Sequence, residues 1–160
     1  MEAIGNLCPS KPLLISYTLG SDGNLRDGEE AVAALNRLLD STGDHPVKLS
    51  AILFNCAEPE AITTALTKIQ EASDLKSRLA ERNLLIGAYA NTLTPVDPDW
   101  TLAESETAQP MRSDLDPERY HQDFVSKWVQ SLDVKIVGGC CGITPEHIKI
   151  LHDRLVMPTI

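Results

Sequence analysis

The sequence predicts an α/β fold built on a parallel sheet, and three observations support that prediction. Four short, nearly continuous apolar runs are spaced along the chain, as expected of strands that are buried on both faces of a parallel sheet. A segment with apolar residues at helical spacing follows each run, and turn residues lie between the two kinds of segment. This alternation gives the order βαβαβαβα, which is typical of one sheet with parallel strands.

The predicted strands are runs of eight residues rich in aliphatic side chains. They are Pro12–Leu19, Leu49–Cys56, Leu84–Asn91 and Val134–Cys141.

The predicted helices are recognised by apolar residues three and four positions apart. They cover residues 27–39, 58–69, 75–79, 117–132 and 144–155. The last has the clearest start, because Thr144 can accept N–H bonds as N-cap, Pro145 suits the first helical position, and the Glu146 carboxylate favours the positive helix end.

One connection, Thr92 to Asp114, is long and contains three prolines. A loop of this length in a compact domain is often functional, so it is a candidate lid or binding loop. The alternative is a solvated connection without a role.

Composition narrows the class of protein. The 160 residues carry a net charge of −9, which argues against binding to nucleic acid or to an anionic membrane surface. No apolar run approaches the roughly 20 residues of a membrane span, and no signal peptide is evident. We therefore expect one domain over residues 1–160, in the cytoplasm, where thiols stay reduced.

Three of the four cysteines fall at the ends of predicted strands. Cys56 ends the second strand, and Cys140 and Cys141 end the fourth. Because the carboxyl ends of parallel strands meet at one edge, we expect the three thiols to lie together. Three sulfur ligands suit Zn²⁺ and leave one position open, as in catalytic zinc sites. Neighbouring strand residues point to opposite faces, so both thiols of the pair can bind one metal only if the flanking glycines let the chain turn.

Other interpretations of these residues stay open. Cys56 alone is most simply a small buried apolar residue, and Cys140 with Cys141 could be a redox pair, although the usual redox spacing is C-x-x-C. Cys8 precedes the first strand and is interpreted as a non-ligand. Four histidines could bind zinc in principle, and two of them are expected to be solvent-facing residues on or near the last helix. The histidines are His45, His121, His147 and His152, the last two being the helical pair.

The stretch Val137–Ile148, with the sequence VGGCCGITPEHI, resembles the closing motif of the zinc-dependent homocysteine S-methyltransferases. That family also has an Asn-Cys at the end of an earlier strand, matched here by Asn55-Cys56. The resemblance covers roughly residues 11 to 155, and one departure is Ala90, where the family usually has proline. Further matches are Pro12–Gly20 with Ser16, Asp27-Gly28, Gly87–Asn91 and Trp128.

The resemblance implies a TIM-type (β/α)₈ barrel in which Cys56, Cys140 and Cys141 bind Zn²⁺ and the fourth position receives the homocysteine thiol. It implies a methyltransferase that forms methionine, with homocysteine and a methyl donor as partners and with no catalytic side chain beyond the zinc site. A sulfonium donor such as S-methylmethionine or S-adenosylmethionine is favoured over betaine and over methylated cobalamin or folate. Tyr89 and Trp100 could line the substrate cavity or serve only in packing.

A complete barrel needs about 250 residues, so we expect this chain to hold the last four of eight βα units. Half a barrel has two unpaired strand edges. Three accounts stay open: a fragment of a longer product, a truncated gene model, or a half-barrel that pairs with another chain, either as a homo-oligomer or with a missing half-barrel. Two other functions stay open: a zinc-binding or interaction module without catalysis, and a thiol-redox protein that uses Cys140 and Cys141.

Overall fold

A computed structural model of the protein describes residues 11–42, 48–95 and 110–156. They form a mixed α/β fold around one four-stranded sheet in which every pairing is parallel and the strand order follows the chain. The parallel α/β prediction is therefore confirmed. The strands are β1 (Pro12–Thr18), β2 (Lys48–Asn55), β3 (Leu85–Tyr89) and β4 (Ile136–Val137).

Helices connect the strands and follow the last one. They are α1 (Ala31–Ser41), α2 (Pro59–Glu71), α3 (Ser73–Glu81), α4 (Pro117–Arg119), a π-helical segment (Tyr120–Val125), α5 (Ser126–Ser131) and α6 (Pro145–Leu155). In the described residues, no helix is long and apolar enough to cross a membrane.

The predicted helix over residues 117–132 is interrupted by its π-helical segment. The wider turn changes which side chains face the core, so Val125 is fully buried and Phe124 only partly. Tyr120 and Trp128 are fully buried as well, with their ring centroids 6.0 Å apart in an edge-on arrangement. A π-helical turn inside an α-helix often marks a functional position.

The two faces of the sheet differ in what covers them. Ile52, Phe54, Ile86 and Ala88 belong to the hydrophobic core beneath the helices, and we call this side the helix-covered face. Residues at the alternate positions of the strands lie on the opposite side, which we call the open face. One of them is Leu14, with 51% of its surface exposed.

The open face corrects one expectation, since strand β1 is not buried on both faces: its residues alternate between exposed and partly buried. Leu85, at the start of β3, is likewise 44% exposed. Leu53 is buried on the open face, where the space beside Gly87 accommodates it; a Cβ at Gly87 would lie 2.7 Å from a Leu53 methyl carbon.

Strand β4 is much shorter than the predicted Val134–Cys141, because the chain leaves the regular ladder after Val137. The Ile143 N–H donates to the Cys140 carbonyl at 3.1 Å, which closes a turn around the two cysteines. The apolar run therefore continues into a turn, and the turn is what presents the thiols.

Candidate metal centre

Cys56 lies immediately after β2, in a left-handed backbone conformation with φ of 47°. This conformation is unfavourable for a residue with a side chain. The Cys56 N–H donates to the Tyr89 carbonyl at 3.2 Å, and the Asn91 N–H donates to the Ala57 carbonyl at 3.0 Å. These bonds fix the turn from β2 into α2 against the end of β3.

Cys140 and Cys141 are fixed against the segment that follows β3. The Cys140 N–H donates to the Ala90 carbonyl at 2.8 Å, and the Cys141 carbonyl accepts from the Thr92 N–H at 2.9 Å. Both cysteine-bearing turns are thus bonded to the same stretch of backbone, residues 89–92, which brings the two turns together.

Two glycines make the second turn possible. A Cβ at Gly139 would collide with the Ile143 side chain, and one at Gly142 would collide with the Thr92 hydroxyl. Gly142 also has a φ of +79°, which glycine adopts without steric cost. The turn therefore requires glycine on both sides of the cysteine pair.

The three thiols lie together, as the positions of the strand ends predict. The Cys56 Sγ is 3.7 Å from the Cys141 Sγ, and the Cys140 Sγ is 3.9 Å from the Cys141 Sγ. All three sulfur atoms lie within 4.8 Å of one another. A tetrahedral Zn²⁺ with Zn–S bonds of about 2.3 Å has sulfur atoms about 3.8 Å apart, so the donor set and its spacing fit zinc.

The three cysteines are free; Cys56 and Cys140 are partly buried, and Cys141 is exposed. Burial raises the pKa of the Cys140 thiol to about 12, and the neighbouring Cys56 contributes in the same direction. Thiolates rather than thiols bind metals, and a cation at the centre of the cluster would oppose both causes of the raised pKa.

A row of polar side chains crosses the open face next to the thiols. The Thr18 hydroxyl donates to the Asn55 side-chain oxygen at 3.0 Å, and the Ser16 and Tyr89 hydroxyls lie 2.7 Å apart. Tyr89 therefore lies on the open face, at the strand end that Cys56 contacts. Beside the thiols, this face offers hydroxyl and amide groups.

The two described ends of the long connection are paired at its base, where Leu93 and Met111 form an antiparallel bridge. Arg112 forms hydrogen-bonded ion pairs with Glu60 at the start of α2 and with Asp114. The hydrogen bonds that the Arg112 guanidinium donates to Asp114 and Glu60 raise its pKa, so it stays protonated. The prediction of a lid concerns mainly residues 96–109, which lie outside the described residues.

His147 is buried, so the expectation that it faces solvent is wrong. Its Nδ1 accepts from the Thr144 N–H at 3.2 Å, and its Nε2 lies 3.1 Å from the Leu115 carbonyl. His147 thus completes a capping box with Thr144, which is confirmed as the N-cap of α6. Both ring nitrogens have partners away from the thiols. A histidine three residues after a threonine N-cap was the available sequence signal for this role.

The other candidate ligands that the structure describes do not join the cluster. His152 is exposed, as expected. His121 lies in the π-helical segment, and its Nδ1 is buried without a hydrogen-bond partner. Within the described residues, the group of side chains placed to hold a metal consists of the three cysteines alone. Cys8, His45 and Trp100 lie outside the described residues.

A comparison with protein families adds a separate observation to this arrangement of thiols. The sequence profile described as Homocysteine S-methyltransferase matches residues 1–155, nearly the full length of the chain. The resemblance found in the VGGCCGITPEHI and Asn-Cys motifs is therefore confirmed, and the chain belongs to the homocysteine S-methyltransferase family.

Proposed function

We propose that this protein is a homocysteine S-methyltransferase in which Cys56, Cys140 and Cys141 hold Zn²⁺ and the thiol of homocysteine takes the fourth position. The observation that supports it most directly is the spacing of the sulfur atoms. Separations of 3.7 Å and 3.9 Å match the edge of a tetrahedral zinc–thiolate site. Three ligands from one chain leave room for a substrate thiol.

The chemistry divides between the metal and the chain. Zn²⁺ at such a site lowers the pKa of a thiol bound to it, which is the activation that a homocysteine nucleophile requires. The chain's own residues hold the three sulfur atoms in place, and the polar row of Ser16, Thr18, Asn55 and Tyr89 lines the approach from the open face. No side chain is needed as a general base.

We favour a sulfonium donor, S-methylmethionine or S-adenosylmethionine. The substrate sulfur attacks the donor's methyl carbon, the bond from that carbon to the sulfonium sulfur breaks, and its electron pair stays on the departing neutral thioether. The products are methionine and the demethylated donor. We also propose a cytoplasmic location, which suits three free thiols.

The open face supports a second part of the proposal, that the sheet belongs to a (β/α)₈ barrel of which this chain supplies the last four units. Parallel sheets are normally covered on both faces, and here Leu14 and Leu85 are exposed on one of them. We propose that the other half of the barrel lies outside these 160 residues, either in the rest of a longer product or in a second chain that pairs with this one, as a homo-oligomer or a separate half-barrel.

Metal analysis of the full chain tests the zinc site. We expect about one zinc per chain in the wild type and loss of the metal in C56A, C140A and C141A, because two thiols seldom hold zinc alone. H152A is the matched control, since it removes an exposed potential ligand away from the cluster. Full zinc retention in all three cysteine variants would disprove the site.

A second measurement tests the reaction. Purified protein is incubated with homocysteine and either sulfonium donor, and methionine is measured; formation that depends on Cys56 supports the proposal. Methionine formation by the purified chain would reject the alternative of a zinc-binding half-barrel without catalysis. A reversible loss of two hydrogens from Cys140 and Cys141 on oxidation, without metal binding, would favour a thiol-redox protein.

A further inference from the structure

A tyrosine hydroxyl interrupts the β3–β4 ladder just before the cysteine pair. The Gly138 N–H donates to the Ala88 carbonyl at 3.2 Å, and the Cys140 N–H donates to the Ala90 carbonyl at 2.8 Å. In a regular parallel ladder, the rung between these two is a bond from the Ala90 N–H to the Gly138 carbonyl. In this structure the Tyr120 hydroxyl takes that place, since it accepts from the Ala90 N–H at 3.3 Å and donates to the Gly138 carbonyl at 2.9 Å.

The inserted hydroxyl accounts for the shape of this part of the sheet. Two backbone groups bridged by an oxygen atom lie farther apart than two groups that bond directly, so the strands separate at this rung. The regular strand β4 accordingly ends at Val137, one residue before the bridge. Cys140 bonds to the β3 segment at the next rung, and the turn around the thiols follows.

Tyr120 is held in place from several sides. Its side chain is fully buried, and its ring meets the Trp128 and His147 rings edge-on at 6.0 Å and 5.9 Å. It is the first residue of the π-helical segment, where the helix departs from regular geometry. Burial raises the pKa of the Tyr120 phenol, so the hydroxyl keeps the proton that it donates to Gly138.

We propose that the Tyr120 hydroxyl is a positioning group for the thiol cluster: by replacing one rung of the β3–β4 ladder, it sets the turn that brings Cys140 and Cys141 to Cys56. The inference rests on the proposed function, because the cluster is taken to bind metal. Tyr120 does not contact the metal in this scheme; it acts through the backbone of Gly138 and Ala90.

The test is Tyr120→Phe, with Co²⁺ alone as the probe, added to the metal-free full chain. Cobalt bound by thiolates has absorption bands that report both affinity and coordination geometry. We expect Y120F to bind Co²⁺ about 10- to 100-fold more weakly, as is common when a partner outside the ligand shell is removed, and with shifted bands. The shift in the bands is the readout that a loss of stability alone would not produce.

Thr63→Val is the matched control for stability. The Thr63 hydroxyl accepts a hydrogen bond from the Trp128 indole N–H at 2.8 Å, so T63V also removes a polar group from the core around Tyr120 but touches neither strand end. We expect T63V to be destabilised and to keep the wild-type cobalt spectrum and affinity. Equal changes in both variants would overturn the proposal.

The outcomes separate this inference from the proposed function. If the wild type does not bind Co²⁺, the metal centre itself is wrong. If the wild type binds and Y120F binds with the same affinity and spectrum, the positioning role alone is wrong. Should Y120F fail to fold, 4-fluorophenylalanine at position 120 fills the space of the hydroxyl but cannot donate to the Gly138 carbonyl; a folded protein with an unshifted cobalt spectrum would then overturn the proposal.

Discussion

The two faces of the sheet have different physical roles. The helix-covered face buries Ile52 and Phe54 completely and carries most of the apolar core. The open face combines exposed Leu14 with a polar row, and it leads to the three thiols at the carboxyl edge. The comparison indicates that stability depends on one face, whereas the proposed chemistry depends on the edge and on the other face.

The largest expected effect on stability is on the helix-covered face. Phe54→Ala should lower the free energy of unfolding by about 3–5 kcal/mol, because it removes a fully buried aromatic ring and leaves a cavity. Leu14→Ala, on the open face, should change it by less than about 0.5 kcal/mol. Chemical denaturation of both variants measures the difference. Similar losses in the two would mean that the open face is covered in solution.

A smaller effect is expected at the turn that carries the cysteine pair. Gly139→Ala should destabilise the protein by about 1–3 kcal/mol and weaken metal binding, because the new Cβ collides with Ile143. Gly138→Ala is the control, since its Cβ would lie 3.7 Å from the Tyr89 Cβ, an ordinary contact. Denaturation and zinc titration report the two properties. If G138A lost as much metal affinity as G139A, the steric explanation would be wrong.

The smallest effect concerns Arg112 at the base of the long connection. Partial burial raises the pKa of Glu60, but hydrogen bonds from Arg112 and the backbone outweigh it and hold this pKa below its ordinary value of 4.5. Hydrogen bonds from Arg112 likewise lower the pKa of Asp114 below 3.8. A carboxyl group with a lowered pKa stabilises the fold above its ordinary pKa, and that stabilisation is lost as pH falls through the pKa of the folded state.

We therefore expect the wild type to lose stability as the pH falls below about 5, and Arg112→Met to show a shallower loss over the same range. Denaturation at a series of pH values measures both slopes. The exposed Arg26→Met removes the same charge elsewhere and should keep the wild-type slope. An unchanged slope in R112M would show that these ion pairs are too well solvated to matter.

Much of the fold could be predicted from the pattern of apolar residues along the sequence. The order of strands and helices could be predicted because the strands are short, nearly continuous apolar runs and the helices have apolar residues three and four positions apart. The meeting of Cys56 with Cys140 and Cys141 could be predicted because parallel strands end at a common edge. Both inferences depend only on local sequence and on the direction of the strands.

The features that the sequence did not predict depend on contacts between residues that are distant along the chain. The burial of His147 depends on the Leu115 carbonyl, 32 positions earlier. The early end of β4 reflects a tyrosine from another element that enters the ladder. The exposure of Leu14 reflects the absence of covering elements among the described residues, and an apolar run alone cannot reveal what covers it.

The left-handed backbone of Cys56 has a consequence for evolution and engineering. A non-glycine residue in this conformation costs about 1–2 kcal/mol, so glycine at position 56 would make the metal-free protein more stable. Selection for heat resistance alone would favour Cys56→Gly and remove a proposed ligand in the same step. Cysteine at this position is therefore a trade-off between stability and the proposed metal site, and engineering of this protein should hold position 56 fixed.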